Sequence, residues 1–241
     1  MRIAVLTDVH GNRFALEAVL HEISNFKPDA ILNLGDTVLG GADPAGAWRL
    51  HLESGALTVR GNADEEVSHP EPDLEPERLE FVNWLRTMFN ESDFQTMQDL
   101  PTMLEVANGE ILACHGSLET PWDFLMLRNQ PESFVDYASP EELLTRIAAF
   151  PKAQVVLCGH SHRARNVIAN GVQFVNVGSV SRQPDGDPRA RWVLLTRNQN
   201  SWHVEHKHTS YDVETAAKWA LKFCPQGERE AAHLRLGKMS D

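Results

Sequence analysis

The sequence predicts an α/β fold, because apolar runs of strand length alternate with segments whose apolar residues have helical spacing. Residues 13–26 show that spacing most clearly, and the short runs on either side of them are almost wholly apolar. Five runs end in a turn that carries a side chain able to bind a metal; they are residues 3–6, 30–34, 56–59, 110–114 and 154–158. In an open parallel sheet all carboxyl ends lie on one edge, so we expect the five endings to meet in one cleft.

The endings share a glycine next to a carboxylate, an amide or an imidazole. They read Asp8-Val9-His10-Gly11, Gly35-Asp36, Gly61-Asn62, His115-Gly116 and Gly159-His160-Ser161-His162. Asp8 and His10 are two residues apart, which places both side chains on the same side of an extended segment. One such ending is a common turn sequence, but its occurrence after five apolar runs makes chance a poor explanation. The pattern therefore predicts a site for divalent metal ions.

Length and charge limit the kind of protein. The 241 residues suffice for one large α/β domain, and because no Pro- or Ser-rich linker divides them, we predict a single domain over 1–241. The net charge of −12 argues against extended nucleic-acid binding. No apolar stretch approaches about 18 residues, and the chain enters a strand without a signal peptide, which predicts a cytoplasmic protein without membrane contact. The sequence indicates no oligomeric state.

The middle of the chain predicts a helical insertion at 65–100. Residues 65–76 are acidic and proline-rich, typical of a surface loop, and helices are expected over 77–90 and over 92–100, the latter capped by Ser92. A hairpin is expected around Asn108-Gly109.

The remaining segments predict further helices, strands and a loop. Asp43, Ser139 and Asp212 are typical caps of helices that follow them. Four short strands after His162 predict an antiparallel meander, and the polar tail 225–241 is expected to fray. Residues 117–137, with Trp122, Phe124, Phe134 and Tyr137, could be a packed loop or one wall of the cleft.

The five endings, taken together, resemble the calcineurin-like metallophosphoesterase superfamily in order and spacing over almost the whole chain. His10-Gly11-Asn12, Val177-Gly178-Ser179 and the segment 183–190 look like the small bacterial phosphodiesterase branch. The resemblance implies a double β-sheet sandwich flanked by helices, with two metal ions at one edge. It further implies that a hydroxide bridging the two ions attacks phosphorus in line.

The resemblance also implies roles for individual residues. Asp8, His10 and His162 would bind the first metal, Asn62, His115 and His160 the second, and Asp36 both. Asp36, Asn62 and His115 would thereby serve catalysis, whereas Asn12 and Ser179 could touch the phosphate or only cap turns. Four imidazoles, one amide and two carboxylates favour Mn, Fe, Zn, Ni or Co over Ca, and we expect two Mn ions.

The sequence departs from the family pattern at two places. Leu39-Gly40 replace the Asp-Arg of the protein phosphatases, which disfavours a protein substrate. Ala63 stands where many members carry the histidine that protonates the leaving group, and Asp64 and His69 are the nearby candidates to replace it.

We therefore expect a metal-dependent phosphodiesterase that acts on a small or nucleotide-like ester. The alternatives are a phosphomonoesterase of the same fold and a protein-binding scaffold with a vestigial metal site.

Overall fold

Two five-stranded sheets form the centre of the protein. The computed structural model describes residues 1–128 and 136–238. In these ranges the strands are β1 (Arg2–Leu6), β2 (Ala30–Asn33), β3 (Leu57–Thr58), β4 (Met103–Val106), β5 (Ile111–Cys114), β6 (Val155–Cys158), β7 (Arg165–Ala169), β8 (Val172–Asn176), β9 (Ala190–Asn198) and β10 (Ser201–Thr209). The first sheet has the order β10-β9-β1-β2-β3 and the second β4-β5-β6-β8-β7.

The sheets pack face to face through alternate side chains of their strands. Val5 and Leu32 of the first sheet share one fully buried cluster with Ala113, Leu157 and Val175 of the second. In the first sheet β1 pairs parallel with β2 and β2 parallel with β3, while β5 and β6 pair parallel in the second. The carboxyl ends of these five strands carry the predicted metal-binding side chains.

Helices cover the outer faces of the sandwich. The described helices are α1 (Arg13–Phe26), α2 (Pro44–Ser54), α3 (Asn62–Ser68), α4 (Pro76–Arg86), α5 (Glu91–Asp99), α6 (Pro140–Arg146), α7 (Val213–Phe223) and α8 (Gly227–Leu236). Helices α1 and α2 pack on the first sheet and α6 on the second. The others form a separate apolar cluster with the loop that follows β2. No helix in the described part of the chain is long and apolar enough to cross a membrane.

The expected double sandwich is confirmed, but two predictions about the sheets are wrong. The five metal-binding ends do not lie in one open parallel sheet, because β1, β2 and β3 belong to one sheet and β5 and β6 to the other. The last four strands do not form a meander either. The hairpin β7–β8 extends the second sheet beside β6, whereas β9–β10 joins the first sheet beside β1.

Several helix boundaries also differ from the prediction. The acidic segment expected as a loop begins with α3, and the next helix ends at Arg86 rather than near residue 90. Asn90, not Ser92, caps α5, because its side chain accepts hydrogen bonds from the N–H groups of residues 92 and 93. The expected caps Asp43, Ser139 and Asp212 are confirmed.

The tail expected to fray instead contains α8, which packs against α7. Five residues of α8 are buried: Gly227, Glu230, Ala231, His233 and Leu234. A helix with so many polar residues gives little sign in the sequence that one face is covered.

Candidate metal centre

The site residues lie in loops at the shared edge of the two sheets. Asp8 and Asp36 follow β1 and β2, Asn62 begins α3 directly after β3, and His115 follows β5. After β6 come His160 and His162. Two groups of possible metal ligands result, each with its donor atoms within 4.8 Å of one another: the first donor group, Asp8, His10 and His162, and the second donor group, Asp36, His115 and His160.

The first donor group directs unshared electron pairs at one point. Backbone carbonyls hold the Nδ1 atoms of His10 and His162, with Leu39 O at 2.9 Å and Arg182 O at 2.7 Å. With Nδ1 as the donor, the Nε2 atoms of the two rings face each other across 3.0 Å, and in the neutral form of each ring Nε2 carries the lone pair that binds a metal. Asp8 Oδ1 lies 3.2 Å from His162 Nε2 and is buried, with no hydrogen-bond partner among the described residues. A cation would satisfy all three atoms.

The second donor group is arranged in the same way. His115 Nδ1 donates to Leu34 O at 2.7 Å, so its Nε2 is the atom turned to the site. Asn62 Oδ1 lies 3.0 Å and Asp36 Oδ1 3.4 Å from that Nε2. His160 completes the group. Oxygen and imidazole donors in this combination fit a divalent transition metal.

Asp36 lies between the two groups. Its Oδ2 is 3.7 Å from His10 Nε2, while its Oδ1 is 3.4 Å from His115 Nε2 and accepts a hydrogen bond from the Ala63 backbone N–H at 2.8 Å. Asp36 therefore faces one histidine of the first donor group and one of the second. This position is the one expected of a ligand shared by two cations.

Charges within the site shift the pKa values of its members. Burial disfavours a charged His115, but the neighbouring carboxylates, Asp36 foremost, outweigh burial and raise the His115 pKa to about 9. Burial likewise opposes ionisation of Asp36, yet His115 holds the pKa of Asp36 well below its usual range. Burial and the positive charge of Arg182 lower the His10 pKa to about 3, so His10 is neutral and ready to bind a metal.

Many of the site residues adopt the left-handed backbone conformation that side chains disfavour. Values of φ between 47° and 63° occur at Asp8, His10, Asp36, His160 and His162. Such residues cost about 1–3 kcal/mol each and persist where the surrounding structure enforces them, often at functional sites. These backbone conformations lower the stability of the fold, and they direct the five side chains toward one point.

Close packing explains the glycines beside the ligands. A Cβ atom at Gly61 would lie 2.1 Å from Asp36 N, and one at Gly159 would lie 2.2 Å from Thr7 Oγ1 and 2.6 Å from Asp8 Oδ2. Because these distances are far below van der Waals contact, any side chain there would displace the carboxylate. The Gly-Asn and Gly-His pairs are therefore needed to bring neighbouring strand ends together.

Asp64 holds two of these loops together rather than facing the cleft. One oxygen accepts hydrogen bonds from the backbone N–H groups of Thr37 and Val38 at 2.8 and 3.2 Å, and the other accepts from Gly61 N–H at 3.3 Å. Burial, reinforced by the charge of Asp36, raises the Asp64 pKa to about 7. The side chain is fully buried. It is therefore poorly placed to protonate a leaving group.

Ala63, where the family histidine is missing, and His69, the second candidate to replace it, also lie away from the cleft. Ala63 is buried in the apolar cluster of the surrounding helices. His69 is exposed at the C-terminal end of α3, about 10 Å along the helix axis from Asn62 at a rise of about 1.5 Å per residue. Neither residue occupies the position of a general acid.

Asn12 and Ser179 are both fully buried. Asn12 caps α1 through its Oδ1, and its amide donates to Ser181 Oγ and Tyr211 Oη at 3.1 and 3.2 Å. Between touching the phosphate and capping a turn, the structure thus favours the second for Asn12. Ser179 Oγ has no hydrogen-bond partner among the described residues. It would need a rearrangement to reach a phosphate in the cleft.

An aromatic segment borders the second donor group. His160 Nε2 lies 3.2 Å from Trp122 O, and the ring of Phe124 stacks on the His160 ring with centroids 4.4 Å apart. The Trp122 indole donates to Glu65 at 3.0 Å, and a cavity of about 510 Å³ lies beside the segment. Of the two alternatives left open for 117–137, the contacts of residues 117–128 favour a wall of the cleft, while Phe134 lies outside the described residues.

Sequence reasoning missed the groups that orient the histidines. The Nδ1 partners are the carbonyl oxygens of Leu34, Leu39 and Arg182. Backbone carbonyls leave no signature in the residue types, so no sequence signal could have identified them. The role of Asp64 was partly visible, because an acidic residue at the third position of a helix is a common partner of the capping N–H groups.

A two-sheet sandwich with carboxylates and histidines at the edge where both sheets end is the architecture of metallophosphoesterases. The chain belongs to the calcineurin-like phosphoesterase superfamily, whose domain profile matches residues 1–200.

Similar proteins come from archaea and bacteria. An uncharacterized protein of Methanocaldococcus jannaschii is 25% identical over 247 residues, which cover 91% of this chain and 92% of that protein. A metallophosphoesterase structure from Sphaerobacter thermophilus superposes with a TM-score of 0.76 at 22% identity, covering 98% of this chain and 100% of that one. A hypothetical protein from Pyrococcus horikoshii OT3 gives 0.74 at 17% identity, with 99% of each chain covered. Both structures share the fold.

Proposed function

We propose that the protein is a divalent-metal-dependent phosphodiesterase that hydrolyses a small or nucleotide-like phosphate diester. The observation that carries the proposal is the pair of donor groups with Asp36 between them. In the part of the chain that the structure describes, the first group contains a buried carboxylate oxygen without a hydrogen-bond partner. A degenerate site in a scaffold protein would not need five ligand residues in disfavoured backbone conformations.

Each donor group would hold one cation, Mn²⁺ by preference or Fe, Zn, Ni or Co, with Asn62 joining the second group and Asp36 shared. When bound, the two cations would supply an activated water and neutralise charge on the phosphoryl oxygens. The protein's own contribution is orientation. The carbonyls of Leu39, Leu34 and Arg182 fix which nitrogen of His10, His115 and His162 faces the cleft.

The choice of a diester over a monoester rests on the resemblance of His10-Gly11-Asn12 and Val177-Gly178-Ser179 to the phosphodiesterase branch. Near the proposed ligands, Arg60 and Arg182 bind Glu65 and Glu230 with N–O distances of 3.0 and 2.6 Å. Because these two guanidinium groups are already paired with carboxylates, the substrate screen below decides between a diester and a monoester.

The test combines metal analysis with a substrate screen. The purified protein is loaded with Mn²⁺, Fe²⁺, Zn²⁺, Ni²⁺ or Co²⁺ and offered activated aryl diesters, cyclic nucleotides and aryl monoesters. We expect two metals per chain and faster turnover of a diester. Preference for monoesters would support the phosphomonoesterase alternative, and fewer than one metal per chain without turnover would support a scaffold and overturn the proposal.

A further inference from the structure

The C-terminal helix α8 contacts two segments beside the metal centre through one buried carboxylate, that of Glu230. Glu230 is only 5% exposed, although it belongs to the last described helix. Its Oε2 accepts a hydrogen bond from the backbone N–H of Gly41 at 3.1 Å, and its Oε1 accepts one from the guanidinium of Arg182 at 2.6 Å. Charged side chains are rarely so buried unless both oxygens are satisfied in this way.

Both partners of this carboxylate belong to segments that orient the first donor group. Leu39, two residues before Gly41, accepts the Nδ1 proton of His10 with its carbonyl oxygen at 2.9 Å. Arg182 accepts the Nδ1 proton of His162 with its own carbonyl oxygen at 2.7 Å. One side chain therefore joins the two backbone segments that fix both imidazoles of the same metal site.

The approach of α8 depends on the lack of a side chain at Gly41. A Cβ atom there would lie 2.7 Å from Glu230 Cγ and 2.9 Å from Cys224 Sγ. The loop after β2 and the helix thus pack without a gap, and a small change at their contact should be transmitted to the loop.

The second donor group is oriented from a different part of the molecule. His115 donates to the carbonyl of Leu34, whose side chain is buried between the two sheets. This contact belongs to the central core, not to the surface against which α8 packs. The two donor groups should therefore respond differently to a change in α8.

We propose that Glu230 is a positioning residue that holds His10 and His162 in the geometry that binds the first cation. The inference rests on the two-metal site of the proposed function and goes beyond it, because it assigns metal affinity to a helix that contributes no ligand. Partners of metal-binding histidines typically change metal affinity by about 10–100-fold when mutated.

The test measures Mn²⁺ binding by isothermal titration calorimetry in single-site backgrounds. His115→Ala removes a ligand of the second group, so binding reports on the first, and His10→Ala does the reverse. Glu230→Gln keeps the volume of the side chain, but its amide N–H₂ would face either the Gly41 N–H or the Arg182 guanidinium, donor against donor. We expect it to weaken Mn²⁺ binding about 10–100-fold in the His115→Ala background and to leave binding unchanged in the His10→Ala background.

Glu214→Gln is the matched control. Glu214 is an exposed carboxylate of α7 that binds Arg235 of α8 at 2.8 and 2.9 Å, so the variant removes an ion pair of the same helix without touching the loop after β2. It should leave both affinities unchanged. Gly41→Ala is a second variant, which crowds Glu230 without altering its charge, and should reproduce the selective loss even where Glu230→Gln is too unstable to purify.

The outcomes separate this inference from the proposed function. Equal losses in both backgrounds would show that Glu230 acts only on stability and would overturn the inference, as would unchanged binding at both sites. Failure of the unmodified protein to bind Mn²⁺ would instead overturn the proposed function, on which the inference depends.

Discussion

Asp36 directs its two carboxylate oxygens at different histidines, with Oδ1 toward His115 and Oδ2 toward His10. At the scale of single residues this is the contact that joins the two donor groups. His10 by contrast belongs to one group, held by Leu39 O and faced by His162. Removing a shared ligand should therefore have a wider effect than removing an unshared one.

The first prediction compares substitutions of these two residues. Asp36→Asn keeps the shape and the hydrogen bond from Ala63 N–H but removes the charge. We expect loss of both metals, or a fall in turnover of at least about 10²–10³-fold, the range seen when one preorganised stabilising group is removed. His10→Ala should retain the metal of the second group, as measured by metal content per chain. An Asp36→Asn protein with two metals and normal turnover would contradict the shared role.

The second prediction concerns protonation of the leaving group. Ala63 has no proton to donate, Asp64 is buried, and His69 is exposed at the far end of α3, so neither of the two candidates supplies the proton. A positioned acid typically contributes about 10²–10⁴-fold, so rates should fall steeply as the leaving group's pKa rises. A series of aryl diesters measures that slope. His69→Ala should not change the slope, and neither should His21→Ala, a control at another exposed helical histidine. A flat rate across the series would reveal a competent acid elsewhere.

At the scale of elements, the short helix α3 positions Asn62 by linking the ends of β2 and β3. Its first residue is Asn62, and the Asp64 side chain accepts hydrogen bonds from backbone N–H groups in the loop after β2 and in the loop after β3. The helix also buries Glu66, which pairs with Arg78 of α4 at 2.6 and 3.0 Å. The helical insertion thus stabilises the loop that carries a proposed metal ligand.

The third prediction tests this linking role. Asp64→Ala leaves three buried backbone N–H groups without an acceptor, and each such group costs about 1–3 kcal/mol. We expect a loss of about 3 kcal/mol in the free energy of unfolding, measured by urea denaturation of the metal-free protein. Asp212→Ala, which removes the exposed cap of α7, should cost only about 1 kcal/mol. Equal effects of the two variants would mean that Asp64 is no more than an ordinary helix cap.

At the scale of the whole molecule, the site exists only when the two sheets are packed together. The second donor group itself combines Asp36 from the first sheet with His115 and His160 from the second. Metal binding is therefore linked to global folding, since the unfolded chain cannot assemble the donors. The linkage depends on pH, because a metal must displace the proton that His115 carries below its raised pKa of about 9.

The fourth prediction follows from the sign of that shift. A raised histidine pKa stabilises the metal-free protein fully below the ordinary value of 6.5, and this contribution is lost as the pH rises toward about 9. Over the same interval a metal meets less proton competition. Stabilisation by Mn²⁺ is about 2.7 kcal/mol for one site when the free concentration is 100 times Kd. At a fixed Mn²⁺ concentration, Kd should fall and the stabilisation should grow from pH 6.5 to 8.5. Thermal unfolding with Mn²⁺ or with a chelator measures it, and an increment independent of pH would contradict the prediction.

Local chemistry determined much of the structure from the sequence alone. Asp43, Ser139 and Asp212 were predicted as caps because a cap bonds to N–H groups two or three residues away. The strand ends were visible as apolar runs that stop at a glycine beside a polar side chain. All seven proposed ligands could be named from these endings, and the structure brings their side chains to one edge of the sandwich.

Tertiary contacts decided what the sequence could not show. Helix α8 was expected to fray and residues 65–76, which include the end of α3, to be a loop, because the carboxylates of Glu230 and Glu66 look exposed until Arg182 and Arg78 bind them. The last four strands divide between two sheets because β8 pairs with β6, whereas β9 pairs with β1, a strand far away in the sequence. The orientation of His10, His115 and His162 depends on a backbone carbonyl that accepts the Nδ1 proton. Since every residue possesses a carbonyl, only the folded chain selects which one accepts that proton.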